Sequence, residues 1–239
     1  MKLQLRHLFL TVPAKSGQSI VEYALIVALV VVVIVLVLSL VGVSITGVFC
    51  QVVSSLNPTA GASCYAYVQD AFDNLNNWKS FWGSGTASLN NGQMCMAGDL
   101  RLMNKTSLPN DVRVSMDYSQ LSSGNGMGLM VRMNQSGNNY AGYCFQVDPG
   151  YGNKFVFRRY DLNGTELSTP LSTSSFPANF NLNAPHKVEV VAVGSTLKGY
   201  VDGVLVLTAN DSTYPSGQAA IRTWDSTNAC FDNFSVTAP

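Results

Sequence analysis

The sequence predicts a long hydrophobic amino-terminal α-helix followed by an all-β antiparallel sandwich. Three observations carry that prediction. Residues 24–43 are uncharged and apolar, interrupted only by Ser39 and Gly42. From about residue 67 onward, apolar residues recur with a period of two, the spacing of a half-buried strand. Asn91-Gly92 and Asp202-Gly203 punctuate those runs in the manner of two-residue hairpin turns.

The helix comes first. Twenty residues at about 1.5 Å rise cross the roughly 30 Å hydrocarbon core of a bilayer. β-branched residues are frequent there, but lipid leaves the backbone no other partner than its own helix. Lys2, Arg6, His7 and Lys15 precede the stretch, and no Lys or Arg follows it until Lys79. That asymmetry places the amino terminus in the cytoplasm and everything beyond about residue 45 outside. The apolar core is too long for a secretory signal, and the small-x-small site Ala60-Gly61-Ala62 lies too far beyond it. Ile45, Val48, Phe49, Val52, Val53 and Leu56 continue one apolar helical face, and Asn57-Pro58 ends it.

The strands follow. Residues 86–90, 93–97, 111–118, 126–133, 140–147, 154–160, 187–193, 197–201, 204–208, 218–223 and 229–236 alternate as strands. Many short strands with Gly, Asn and Pro between them point to an antiparallel sandwich. Charged residues make up 12% of the chain and the net charge is zero, which removes the electrostatic footprint of a nucleic-acid binder. The two histidines, His7 and His186, stand in different segments, so a histidine metal site or a catalytic triad is poorly supplied. Cys50, Cys64, Cys95, Cys144 and Cys230 form no Cys-x-x-Cys pair and all lie on the external side, where disulfides persist. Two intramolecular bridges are expected among these five, with connectivity open and at least one thiol left over.

The stretch Gly17-Gln18-Ser19-Ile20-Val21-Glu22-Tyr23-Ala24-Leu25-Ile26 resembles the Flp pilins of tight-adherence (Tad) pili, a branch of the type IV pilin superfamily. The similarity covers about residues 12–57. It implies cleavage between Gly17 and Gln18 by a membrane prepilin peptidase, then transfer from the membrane into a filament by an ATP-driven assembly machine. The implied partners are that peptidase, the assembly machinery and other pilin subunits. The chain then divides into a leader (1–17), a transmembrane and assembly helix (18–56), a linker (57–66) and a displayed domain (67–239). Gly17 has no Cβ to obstruct the scissile backbone. Cleavage exposes an ammonium on Gln18, and Glu22 of a neighbouring subunit neutralises it where the dielectric is low. Glu22 and Tyr23 are therefore assembly residues. Flp subunits are usually little more than leader and helix, so the long remainder of this chain departs from that pattern.

The remainder resembles concanavalin-A-like, laminin-G-type jelly rolls. The matching pieces are Phe72-Asp73 then Trp78, Asn91-Gly92, Gly128-Leu129-Met130-Val131-Arg132, Val201-Asp202-Gly203, Gly217-Gln218-Ala219-Ala220-Ile221-Arg222 and Phe231-Asp232-Asn233-Phe234-Ser235-Val236. The resemblance implies that the first and last strands lie together and that one sheet presents a concave, sugar-binding face. Arg132, Tyr140, Tyr143, Arg158, Tyr160, Trp224 and Asp225 are the candidates for that face. Asp70, Asp73 and Asp232 are candidate ligands for a structural calcium ion, the single cofactor the sequence leaves open. Glycan hydrolases of this fold carry a Glu-x-Asp-x-x-Glu strand that supplies nucleophile and acid together. None exists here: Glu166 stands beside the turn Asn163-Gly164 and Glu189 stands alone in a strand. The reading is a non-enzymatic, pilin-like subunit that displays a β-sandwich for adhesion or glycan binding. It is made in the cytoplasmic membrane with its carboxy-terminal domain outside, and reaches a surface filament after processing. Two alternatives stay open: a signal-anchored surface lectin outside any filament, and a membrane-tethered glycan hydrolase. The mature protein is expected to begin at Gln18; amino-terminal sequencing that starts at Met1 or near Ser63 would remove the pilin reading.

Overall fold

The alternation read from the sequence becomes fifteen strands in the computed structural model, which describes residues 66–239 together with Tyr23, Ala24, Ile26, Val27, Leu29 and Val30. In chain order these are β1 (Ala66–Asp70), β2 (Trp78–Gly83), β3 (Thr86–Asn90), β4 (Gln93–Ala97), β5 (Leu100–Asn104), β6 (Val112–Ser123), β7 (Met127–Ser136), β8 (Asn139–Asp148), β9 (Lys154–Tyr160), β10 (Ser172–Ser175), β11 (His186–Val193), β12 (Thr196–Val201), β13 (Val204–Asn210), β14 (Gln218–Thr223) and β15 (Asn228–Thr237). One sheet runs β13-β12-β11-β6-β15-β4-β3, with β1 added on β15; the other runs β10-β9-β8-β7-β14-β5-β2. The pairings are antiparallel. This is the expected all-β antiparallel jelly-roll sandwich.

Each strand segment expected from periodicity is present. Both hairpin turns form as expected: Asn91 and Gly92 take φ of 51° and 77°, and Asp202 and Gly203 take 51° and 79°. Such left-handed pairs are what matches the twist of a two-residue hairpin. Four strands were not foreseen. β5 is buried at all five residues, so it shows no alternation. β10 is Ser-Thr-Ser-Ser, with no apolar residue to signal burial. β1 and β2 are short and irregular, each with a register shift against its partner.

The core lies between the sheets. Val112, Val114, Met116, Val188, Val190 and Ala192 face it from the first sheet; Leu129, Phe145, Val147, Phe155, Phe157 and Ile221 face it from the second. Each such side chain contributes roughly 1.5–3 kcal/mol on burial. The second sheet is also buried on its other face, where Phe81, Met103, Met130, Met133, Tyr140, Cys144, Tyr160 and Ala220 form a smaller cluster. An antiparallel sheet ordinarily turns one face to water. Here that face is a floor.

The ends of the domain are tied to each other. β1 pairs with β15, Asp70 opposite Phe234, so the first and last strands are neighbours as the jelly-roll resemblance implies. Phe72, Trp78 and Phe234 pack there with ring centroids 5.6 and 4.9 Å apart. Cys95 on β4 and Cys230 on β15 stand opposite each other and form a disulfide that spans 135 residues of sequence. Cys144, expected among the disulfide candidates, is instead an unpaired, buried thiol, because the strand alternation turns it onto the outer face of the second sheet. Cys50 and Cys64 lie outside the described residues, as do Gly17, Gln18 and Glu22, most of the 18–56 helix and the linker up to residue 65. Tyr23 is described and is helical. Among the described residues no helix is long and apolar enough to cross a membrane.

Replacing both Cys95 and Cys230 by Ala should cost about 3–5 kcal/mol, because the bridge closes a long loop in the unfolded chain. Thermal melts of the full chain should then fall by roughly 10 °C; an unchanged melting point would show that the β4–β15 pairing holds without the bond.

Candidate functional site

Strand parity decides which side chains reach the outer face of the second sheet. In β8, Tyr143, Phe145 and Val147 point into the inter-sheet core, so Cys144, Gln146 and Asp148 point outward. In β9, Phe155 and Phe157 point in, so Arg158 and Tyr160 point out. Leu100 and Leu102 bracket Arg101 on β5, and Ile221 precedes Arg222 on β14, with the same result. Register then aligns one row across five strands. Gln146 pairs with Gly128, Gly128 with Arg222, Arg222 with Arg101, and Arg101 with Trp82. Gly128 is required at the centre of that row: a Cβ there would stand 2.3 Å from Cys144 Sγ.

Three arginines on this face are buried: Arg101, Arg158 and Arg222. Each has an aromatic ring on its guanidinium. Trp82 covers Arg101 at 3.8 Å, Tyr151 lies 4.7 Å from Arg158, and Trp224 lies 4.4 Å from Arg222. Such cation–π contacts favour a desolvated guanidinium by about 2 kcal/mol. Trp82 and Tyr151 are 41% and 40% exposed, so they form the rim of the face rather than its floor.

Glu166 supplies the counter-charge. It sits beyond β9, where an isolated bridge to Tyr160 returns the chain over the sheet. Its Oε2 accepts hydrogen bonds from Arg222 Nη1 at 2.7 Å and from the Tyr160 hydroxyl. Its Oε1 lies 2.7 Å from Arg158 Nε and accepts a longer bond from Gln146 Nε2 at 3.4 Å. Burial pushes the Glu166 pKa up, but Arg222, the Tyr160 hydroxyl and Arg158 outweigh it and hold the carboxyl below its usual range. Burial raises the pKa of Asp148 and of Asp99 above the ordinary carboxylate value. It lifts the Cys144 thiol to about 12, which keeps this cysteine protonated and unreactive.

Arg101 is different. Among the described residues its Nε and Nη1 are buried with no hydrogen-bond partner, as are Arg222 Nε, Gln146 Oε1 and Asp99 Oδ1. An unmade hydrogen bond in such surroundings costs about 1–3 kcal/mol per group. The face therefore combines spare donors, spare acceptors and aromatic walls, the elements that hold a polyhydroxylated molecule.

Five of the expected ligand residues meet here. Arg158, Tyr160 and Tyr140 lie in the floor, and Trp224 and Asp225 at the rim, where Asp225 accepts a hydrogen bond from Asn125 Nδ2. Arg132 and Tyr143 do not belong to this face. Arg132 sits at the irregularity between Val131 and Asn134 with φ of 53°, and its guanidinium donates to the carbonyls of Asn110 and Gly194 at 3.0 and 2.7 Å. Tyr143 is an inter-sheet core residue whose hydroxyl donates to Asp211 Oδ1 at 2.7 Å. Burial opposes ionisation of Asp211, but hydrogen bonds from Thr213, Tyr143 and Arg159 draw its pKa down to about 2. Residue type alone picked out Arg132 and Tyr143; strand parity was the signal that excludes Tyr143. The same parity, applied to the Ile-Arg of β14, is the signal for Arg222; Arg101 has no such signal, because β5 is not legible as a strand. Glu166 was set aside as a turn residue.

Two of the three calcium candidates accept backbone hydrogen bonds in this structure. Asp70 uses Oδ1 to accept the Phe72 N–H at 2.8 Å and Oδ2 to accept Trp78 Nε1 at 2.9 Å. Asp73 is exposed, and Asp232 faces Asp117 on β6 while its Oδ1 accepts the Asn233 N–H. Among the described residues no three His, Cys, Asp or Glu side chains are grouped to hold a metal ion. Asp70 and Asp232 thus cap local backbone, as aspartates at turns and strand ends commonly do.

Glu166→Gln keeps the shape and removes the charge that two buried arginines share. It should cost about 3 kcal/mol at pH 7. Because the folded-state pKa of Glu166 is lowered, its contribution is complete above the unfolded value of 4.5 and disappears as pH falls through the folded value. Denaturant titrations should therefore show the two proteins converging in acid; a gap that persists unchanged at pH 2 would mean that the carboxylate charge is not what matters.

Residues 68–237 match the family model described as a 3-keto-alpha-glucoside-1,2-lyase-like domain. Among solved structures, the carbohydrate-binding module CBM66 from Bacillus subtilis is similar at 24% identity and a TM-score of 0.57, over 68% of this chain and 96% of that one. The β-glucanase of Bacillus licheniformis is similar at 14% identity and 0.53, over 72% and 97%. The exoplasmic domain of VIP36, in a form bound to Ca2+ and Man3GlcNAc, is similar at 12% identity and 0.53, over 73% and 88%. At these identities the likeness is one of fold. No curated protein sequence matches the chain.

Proposed function

From the premise that this chain belongs to the 3-keto-alpha-glucoside-1,2-lyase-like domain family, we propose that its β-sandwich binds a carbohydrate on the outer face of the second sheet and does not cleave it. The observation that carries this reading is the row of buried polar groups, several without partners, walled by Trp82, Tyr151 and Trp224. Sugar rings offer hydroxyls to Gln146 Oε1 and Asp99 Oδ1, accept bonds from arginine, and stack their C–H faces on aromatic rings. Glu166 is held ionised and engaged by Arg158, Arg222 and Tyr160, which suits a positioning carboxylate better than a proton donor. Solved structures with the same fold include proteins named for carbohydrate binding, which agrees with this reading.

The proposal extends to how the domain is presented. The apolar stretch 24–43 with its basic flank holds the sandwich on the outer side of the cytoplasmic membrane, as a surface-anchored lectin would be. Incorporation into a Tad-type filament is the finer form of the same idea and rests on Gly17 and Glu22-Tyr23 alone. In either form, many copies raise the avidity of a weak single site.

A second reading, turnover, draws on one observation. Burial raises the Asp148 pKa, while Arg222, Tyr160 and Arg158 bring that of Glu166 down, and a pair of carboxyls pushed apart in this way is how acid and base roles divide. New reducing ends or an unsaturated sugar, abolished by Glu166→Gln, would be its signature.

A glycan array probed with the full chain in detergent micelles should give binding without released product. Trp224→Ala should weaken that binding about tenfold, the loss of one stacking contact of roughly 1.4 kcal/mol. Arg113→Ala, on the other sheet, should leave it unchanged. Equal loss in both variants would place the binding elsewhere.

A further inference from the structure

Resting on the carbohydrate-binding reading of this face, we propose that the sugar bound there carries a carboxylate, and that Arg101 takes its charge. The face carries carboxyls at Glu166, Asp148, Asp99 and Asp225, but they are not shared evenly among its three arginines. Arg158 and Arg222 share Glu166, whose two oxygens are fully engaged by them and by the Tyr160 hydroxyl. Arg101 is 4% exposed, stands opposite Arg222 in the register, and among the described residues forms no ion pair. Two of its nitrogens have no hydrogen-bond acceptor at all. A buried cation beside a like charge calls for an anion. The nearest acid, Asp99, leaves its own Oδ1 without a partner and stays out of contact.

The form of the anion follows from what covers Arg101. Trp82 lies over the guanidinium at 3.8 Å, and the Tyr140 ring is 5.0 Å away. A group that reaches the free donors enters close to the guanidinium plane. A planar carboxylate fits such an approach and pairs with arginine through parallel hydrogen bonds; a tetrahedral sulfate is bulkier across that plane. Gln146 Oε1, at the far end of the same row, then accepts from a sugar hydroxyl. The ligand class is a uronate-containing glycan.

Calorimetry on the full chain in detergent micelles tests this with three probes: trigalacturonate, its carboxyl-reduced neutral trimer, and a sulfated neutral trimer. The carboxylated trimer should bind about tenfold tighter than the neutral one, with the preference weakening as salt rises. Arg101→Gln should bring that ratio near one, by weakening the carboxylated trimer about tenfold more than the neutral one. Arg101→Lys, which keeps the charge without the planar fork, should retain part of the preference and serves if the glutamine variant does not fold. Equal affinity for neutral and carboxylated trimers, a preference that survives Arg101→Gln, or tighter binding of the sulfated trimer would each overturn the proposal. If the trimers fail but other glycans bind on the array, the uronate assignment falls and the carbohydrate reading stands; if no glycan binds, both fall.

Discussion

Arg158 and Arg222 meet on one carboxylate, Glu166, and the outer face of the second sheet depends on that meeting. Two guanidinium groups in a buried sheet are tolerated only when a counter-charge and hydrogen bonds replace the water they lose. Glu166 supplies both, with the Tyr160 hydroxyl as a third member. The segment that carries Glu166 is pinned as well. Leu167 N–H donates to Arg159 O, and Gly164 N–H donates to Tyr140 O, so the carboxylate is delivered by backbone bonds to two strands of the sheet it serves.

The two sheets divide the work. The first sheet closes the domain: β15 pairs with β1, β4 and β6, and Cys95–Cys230 locks its β4 side. The central strands of the second sheet are packed on both faces, which removes freedom from the side chains they bury. Side chains held this way are preorganised, and a ligand that meets them loses less affinity to ordering. Arg101 is the exception in charge though not in position. It is held as firmly as its neighbours, by Trp82 above and the apolar floor beside it, yet among the described residues no acid forms an ion pair with it.

The sandwich and its site were legible to different depths. Asn91-Gly92 and Asp202-Gly203 announced two hairpins because only a few residue pairs tolerate two successive left-handed backbones. Alternation announced the half-buried strands for the same local reason. β5 stayed hidden because burial on both faces erases alternation, and β10 because a four-residue polar edge strand owes its place to its pairing with β9. The site was half legible. The structure places Arg158, Tyr160, Tyr140, Trp224 and Asp225 on one side of the sheet; Tyr143, one residue from Cys144 in the same strand, turns to the opposite side.

Residue order by itself determined the period-two pattern, the turn positions, the uncharged stretch 24–43 and the absence of a Glu-x-Asp-x-x-Glu strand. Each is a local property, written within a few neighbouring residues. The tertiary structure alone decided that Gln146, Arg222 and Arg101 share one row, that Cys95 finds Cys230, and that a glutamate beside a turn becomes the counter-ion of two arginines. Except for Arg158 and Glu166, which are near in sequence, those partners are separated by many tens of residues, and register between strands, which no single strand encodes, is what brings them within reach.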